Sequence, residues 1–193
     1  MLCFNKMLKI TTKKNVVAIG TFDGVHLGHQ RIISRAVNLA RNIKGTSVVL
    51  TFSNHPISVI DKNYCLKQIS GQKEKIQLIE ALHVDVLLNI PFTQKLSILS
   101  PEEFVKMLYD KLKPAAIVVG PNFSFGYKGS GTPKTLIEAG KVYGFKTEIP
   151  EVVSINNTFV SSTVIRKLIA EGNYSQVELF LGRNLSPKIK TVV

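Results

Sequence analysis

The sequence predicts an α/β protein built on a doubly wound, mostly parallel sheet. Short β-branched runs that are apolar throughout alternate with longer stretches of helical spacing, the pattern of strands buried on both faces. The chain has 193 residues, of which 45% are hydrophobic, enough for one sizeable core in a single domain over residues 1–193. Val16–Ile19 is the first predicted strand, and Gly28–Arg41 follows as a helix with Ile32, Ile33, Ala36, Val37 and Ala40 in one stripe. Ser47–Phe52 and Asp85–Ile90 read as the second and third strands. Ser100, Pro101 and Glu103 supply an N-cap, a first-turn proline and the returning glutamate of a capping box, which predicts a helix from there to Lys113. Ala115–Val119 is the fourth strand. Thr132-Pro133 opens a helix that Gly144 follows, and Ser161–Glu171 is a helix closed by Gly172.

Charge narrows the partners. Lys and Arg number 25 against 13 Asp and Glu, a formal balance of 25 − 13 = +12. That balance attracts anions of every kind, phosphorylated metabolites included. Lys6, Lys9, Lys13, Lys14, Lys62, Lys67, Lys73 and Lys75 are scattered, with no dense run and no interleaved aromatic ladder, so no dedicated nucleic-acid partner is expected. No apolar stretch approaches the roughly 18 residues of a membrane span, and Asn5 and Lys6 interrupt the opening MLCFNKMLKI before a signal core develops. A cytoplasmic protein without membrane contact is the expectation. Cys3 and Cys65 are too few and too isolated for a disulfide framework or a zinc cluster.

The densest cluster of special residues directly follows the first strand: Gly20-Thr21-Phe22-Asp23-Gly24-Val25-His26-Leu27-Gly28-His29. A strand, a glycine-rich turn and a helix start bring free backbone N–H groups and the positive end of a helix dipole to one spot, an anion site at the carboxyl edge of a parallel sheet. His26 and His29 lie three apart, on one side of the first, exposed helical turn, with Gly28 between them. A tight turn with two histidines as polar caps is the alternative. The GxxxGxxxG spacing of Gly20, Gly24 and Gly28 fails the GxGxxG dinucleotide fingerprint. Gly126–Gly131 has the outer spacing of a phosphate loop, but Thr132-Pro133 displaces Lys134 from where that loop needs it.

GTFDGVHLGH resembles the H-x-G-H signature of nucleotidyltransferases, in the form found in the FMN adenylyltransferase module of prokaryotic FAD synthetases. Three further segments are similar in order: Thr51-Phe52-Ser53-Asn54-His55-Pro56 to T-F-x-P-H-P, Val119–Gly126 to V-G-x-[DN]-F-x-F-G, and Val160–Arg166 to [IV]-S-S-T-x-I-R. Leu181-Gly182-Arg183 is similar to the L-G-R that ends the module. Asn54 stands where the family has proline, Asn122 takes the amide option, and Phe159 occupies an often basic position.

The resemblance implies a Rossmann-like nucleotidyltransferase fold and transfer of AMP from ATP to FMN, with Mg²⁺ travelling with ATP. His26 and His29, with Arg166, would be catalytic. Gly20, Phe22, Gly24, Gly28, Ser161, Ser162 and Thr163 would seat ATP, and His55, Pro56, Asn122 and Phe125 would line the flavin side, with no protein metal ligand assigned. Asp23 is left equally as structural or metal-related, and Phe123 equally as flavin contact or core. The sequence ends ten residues after Arg183, so no riboflavin kinase activity is expected of it, and a separate riboflavin kinase is left open as a partner. A different phosphorylated acceptor, or a catalytically weak flavin- or nucleotide-binding module, are the alternatives.

Overall fold

The computed structural model describes residues 1–12, 14–61, 63 and 66–185; Lys13, Lys62 and Cys65 lie outside the described residues. Strands are β1 (Leu2–Phe4), β2 (Asn15–Ile19), β3 (Thr46–Phe52), β4 (Val86–Ile90), β5 (Pro114–Val118), β6 (Lys146–Glu148), β7 (Ser154–Ile155) and β8 (Thr158–Phe159). Helices are α1 (Leu27–Asn42), α2 (Ile57–Ile60), α3 (Gln72–Glu80), α4 (Gln94–Ser97), α5 (Pro101–Leu112), α6 (Pro133–Tyr143), α7 (Ser162–Ala170) and α8 (Tyr174–Leu181). Six strands form one parallel sheet in the order β1-β4-β3-β2-β5-β6, and β7 and β8 form a separate antiparallel hairpin.

Alternation along each central strand explains why the runs are apolar throughout. Val17, Ile19, Val48, Leu50 and Ile117 face one layer, closed by Phe104, Val105, Leu108 and Leu112 of α5 and Leu136 of α6. Val16, Ala18, Val49 and Val118 face the other, closed by Ile33, Ala36, Val37 and Ala40 of α1 and Ile79 of α3. A third cluster, Ile69, Val160, Ile165, Val177, Phe180, Leu181 and Leu185, packs α7 and α8 together beside the sheet.

The helix signals hold at the atomic level. Ser100 Oγ accepts from the Glu103 N–H at 3.2 Å while Glu103 Oε2 accepts from the Ser100 N–H at 2.7 Å, the reciprocal pair of a capping box. Gly144, with φ +77°, ends α6 in the left-handed conformation that glycine adopts without penalty.

Strand order reverses at β2. From it β3 and β4 run to one side and β5 and β6 to the other, so the loops leaving β2 and β5 diverge and open a crevice at the carboxyl edge, where ligands of open α/β sheets bind.

Candidate active site

A cavity of about 430 Å³ occupies that crevice. Its walls come from the loop after β2 and the start of α1 (Gly20, Phe22, His26, Gly28, His29), the loop after β5 (Gly120, Asn122, Phe123, Phe125), and Ser161 and Ser162 before and at the start of α7. Two groups of lining residues are each joined by their own contacts: the stacked His26 and His29, with Ser162 bonded to the same loop, and Phe52, Phe92, Phe104 and Phe123, which belong to one core cluster.

The histidine pair is built from the first loop. Phe22 adopts φ +48° and Val25 φ +38°, the latter a left-handed conformation that a β-branched residue rarely takes. Functional loops commonly carry such strain, held in place by packing around them. Phe22 folds its ring back so that a Cβ on Gly20 would lie 2.8 Å from it, which explains the glycine. His26 caps α1: its Nδ1 accepts from the His29 N–H at 3.3 Å, which leaves the imidazole proton on Nε2 as a donor. The two imidazoles stack, with centroids 3.6 Å apart and planes 21° from parallel, and Phe22 meets His29 edge-on at 5.3 Å.

His26 is 4% exposed, so the expectation that it sits at an exposed helix start is corrected: its ring is stacked on His29 and packed beside Gly28. Burial lowers its pKa to about 4, against the opposing pull of Asp23, with Arg166 and Arg183 lowering it further. His29 is held well below its ordinary value by burial, then by His26, Arg166 and Lys75. Both rings are therefore neutral at pH 7. His29 Nδ1 is buried without a hydrogen-bond partner among the described residues.

Ser161 Oγ caps α7 by accepting from the Val164 N–H at 3.3 Å, and Ser162 Oγ donates to the Asp23 carbonyl at 3.3 Å, tying α7 to the first loop. Thr163 is exposed and Gly24 lies inside the turn against Ile69, and neither lines the cavity. Arg166 also stands back from it. Its Nη2 donates to Asp23 Oδ2 at 2.6 Å and its Nε to the Lys67 carbonyl at 3.0 Å. Asp23 accepts in addition from the Ile69 and Ser70 N–H groups at 3.0 and 3.2 Å, so this carboxylate is committed to structure.

Pro56, Asn122 and Phe125 line the cavity, but Phe125 is only 6% exposed. It packs at 5.2 Å on Phe104 and at 5.5 Å on Phe123, which is the more open ring. His55 faces instead a small polar alcove with Thr21, Asp23, Asn54 and Lys75. Asn54 earns its place where proline was expected: its side chain donates to the Phe92 carbonyl at 3.0 Å and accepts from the Phe92 N–H at 2.7 Å, joining the loops after β3 and β4.

Sequence reading missed Lys75, which is buried beside the loop, and the ion pair of Arg183 with Glu74 at 3.4 Å, which ties the end of α8 to α3. The L-G-R segment was visible. Its partner on α3 was not.

Fold and site together are a parallel α/β domain with a helix-start histidine pair at its switch point. The chain belongs to the FAD synthetase family, whose model matches residues 8–164. It is 34% identical over 181 residues to a bifunctional riboflavin kinase/FMN adenylyltransferase of Buchnera aphidicola, covering 93% of this chain and 58% of that protein. To an FAD synthetase of Listeria monocytogenes it is 33% identical over 171 residues, covering 86% of this chain and 68% of the relative. The chain thus spans somewhat over half the length of the bifunctional relatives it matches. A crystal structure described as a macrolide-efflux protein from Streptococcus pneumoniae superposes with a TM-score of 0.83 at 26% identity, over 95% of this chain and 70% of that one. Among the described residues no helix is long and apolar enough to cross a membrane.

Proposed function

We propose that this domain transfers AMP from ATP to the terminal phosphate of FMN, giving FAD and pyrophosphate. The observation that carries the reading is that one cavity is lined both by donors, His26, His29, Ser161 and Ser162, and by the aromatic rings of Phe52, Phe92, Phe104 and Phe123. A triphosphate suits the first and a flat, largely apolar ring system the second. The relatives named for FMN adenylyl transfer and FAD synthesis support the same chemistry.

In this reading a phosphate oxygen of FMN attacks the α-phosphorus of ATP in line, and the bond from that phosphorus to the bridging oxygen of pyrophosphate breaks. Such a displacement asks the protein mainly for alignment and for stabilisation of developing charge. His26, through Nε2–H, and His29 donate to the phosphate oxygens, aided by the N–H groups at the starts of α1 and α7 and by Ser161 and Ser162. Because both rings begin neutral, they contribute hydrogen bonds that strengthen as negative charge grows. Arg166 acts through Asp23, holding the first loop in place. Mg²⁺ enters as part of the MgATP substrate. Gly20, Phe22 and Gly28 shape the nucleotide seat, while Pro56, Asn122 and Phe123, backed by Phe125, form the flavin wall.

Incubation of the purified protein with ATP, Mg²⁺ and FMN, followed by chromatography, tests the reading. FAD and pyrophosphate are expected in equal amounts. Turnover with a different phosphorylated acceptor but none with FMN would overturn the substrate assignment, and binding of both ligands without product would overturn the catalytic one.

A further inference from the structure

Lys75 is a buried ammonium that the adenylyl-transfer chemistry does not use. It projects from α3, is 4% exposed, and among the described residues has no carboxylate within ion-pair distance. Burying a cation without a counter-charge is costly unless its protons find good acceptors. Its Nζ donates to the Phe52 carbonyl at 2.6 Å and lies 3.5 Å from the Thr21 carbonyl. Both carbonyls sit at strand exits: Phe52 ends β3, and Thr21 is the second residue beyond β2. Thr51 Oγ1 donates to the same Thr21 carbonyl at 2.9 Å.

These two exits lead to different lining residues of the cavity. From Thr21 the chain runs into the turn carrying His26 and His29, and from Phe52 it runs to His55 and Pro56. Thr21 and Phe52 line both the main cavity and the polar alcove behind it, and Lys75 lines the alcove alone. The ammonium thus joins the two exits without itself lining the main cavity.

We infer that Lys75 is a positioning residue: by holding the Thr21 and Phe52 carbonyls together, its ammonium sets the spacing between the histidine turn and the segment that carries Pro56, and with it the alignment of the two substrates. The kinetic part of this inference rests on the proposed AMP transfer; the geometric part does not.

Charge state gives the test its handle. Burial pulls Lys75 down to about 8, opposed by Asp23. The ionisable groups that interact with it are Asp23 of the first loop, His29 of α1 and His55 of the loop after β3, and Asp23 is in turn bonded to Arg166 of α7. His29 and His55 are shifted below their ordinary value and so titrate well clear of the window above pH 7.

Two measurements on the whole chain decide the matter, each on wild type and on Lys75→Met, which keeps an unbranched stem and loses the charge. In the first, backbone amide shifts are followed by NMR from pH 6.5 to 9.5. In wild type the amides of Thr21–His29 and of Ser53–His55 should move with one shared midpoint near 8, and in Lys75→Met that step should vanish. In the second, kcat for AMP transfer should fall along the same limb in wild type. Lys75→Met should start about tenfold lower at pH 7 with no alkaline limb, KM for ATP changing far less, since misalignment costs turnover more than binding.

Loops that ignore pH in wild type would overturn the positioning role, even if Lys75→Met failed to fold. A variant with lower melting temperature but wild-type kcat and alkaline limb would overturn it as well, leaving Lys75 a purely structural residue. Wild type that makes no FAD while its loops show the step would overturn the proposed reaction and support the positioning role.

Discussion

The stacked pair His26 and His29 shows what neutral imidazoles can do that charged ones cannot. With centroids 3.6 Å apart, two imidazolium rings would repel strongly, so the pair carries at most one proton, and burial keeps even that one off at pH 7. His26→Ala and His29→Ala should each lower kcat by roughly 10²–10³, the cost of losing one preorganised donor, as steady-state assays will show. His26→Ala should also cost about 1 kcal/mol of stability through the lost N-cap, a penalty His29→Ala escapes. The pH dependence follows the sign of the shift. His26 binds its proton in the unfolded chain near 6.5 but in the folded one only near 4, so its contribution is intact above 6.5 and is lost as pH falls toward 4. Linkage puts that loss at about 3 kcal/mol. Urea midpoints at pH 7 and pH 4.5 read it together with the loss of the same sign from His29, so His26→Gln should shrink the difference without abolishing it. Phe125 and Phe123 divide differently. Phe125 is core, and Phe125→Ala should destabilise by about 3–5 kcal/mol, whereas Phe123→Ala, at the more open ring, should weaken FMN several-fold with ATP little changed. Calorimetric titration with each ligand separates the two roles.

At the scale of elements, what the sequence disclosed and what it concealed have physical reasons. The four central strands and the helices α1, α5, α6 and α7 were legible because each carries its own signal: buried apolar runs, capping boxes, a glycine stop. Edge strands β1 and β6 are three residues long and partly exposed, too short and too mixed to show a period. α3 starts at Gly71 and α2 at Pro56 with no side-chain cap, and α4, though capped by Thr93, is a single turn like α2, too short to show a period. The site divides in the same way. The glycine turn and its histidines sit in one stretch of sequence, while Lys75, the Asp23–Arg166 pair and the Arg183–Glu74 pair exist only once distant segments meet. Gly24 illustrates a residue whose place in a motif is visible but whose role is not. Its φ of +79° and the 2.7 Å that would separate an added Cβ from Ile69 Cγ2 show that it lets the first loop turn and pack closely on the segment before α3. Gly24→Ala should cost about 1–2 kcal/mol from backbone strain alone, with packing against Ile69 adding to it, and urea denaturation reads the sum. Because Gly24 does not line the cavity, KM for ATP should move less than stability does.

On the scale of the whole molecule, two cores sandwich the sheet and are continuous with every central strand, whereas the third cluster stands at the side. It is knit from Val160, Ile165, Val177, Phe180, Leu181 and Leu185, and it reaches the rest chiefly through Ile69, Leu27, the Ser162–Asp23 and Arg166–Asp23 bonds, the Gln30–Leu181 bond and the Arg183–Glu74 pair. Several of those ties are partly exposed polar contacts, each worth on the order of 1 kcal/mol, while opening β2 or β3 means disrupting both cores. The α7–α8 unit should therefore detach at a lower free energy than the sheet unfolds. Native-state hydrogen exchange at low urea is the measurement: amides of Ile165–Ala170 and Val177–Leu181 should share one opening free energy, below that of Val16–Ile19 and Val48–Leu50. Detachment would also carry Ser161 and Ser162 away from the histidines, because they occupy the start of that same unit. ATP bound across the gap would then stabilise the closed form by mass action, so saturating MgATP should raise protection of α7–α8 by a factor that grows with ligand concentration. Equal protection of α7–α8 and the central strands without ligand would show instead that the side cluster and the sheet unfold as one unit, and that the nucleotide meets a site already fixed.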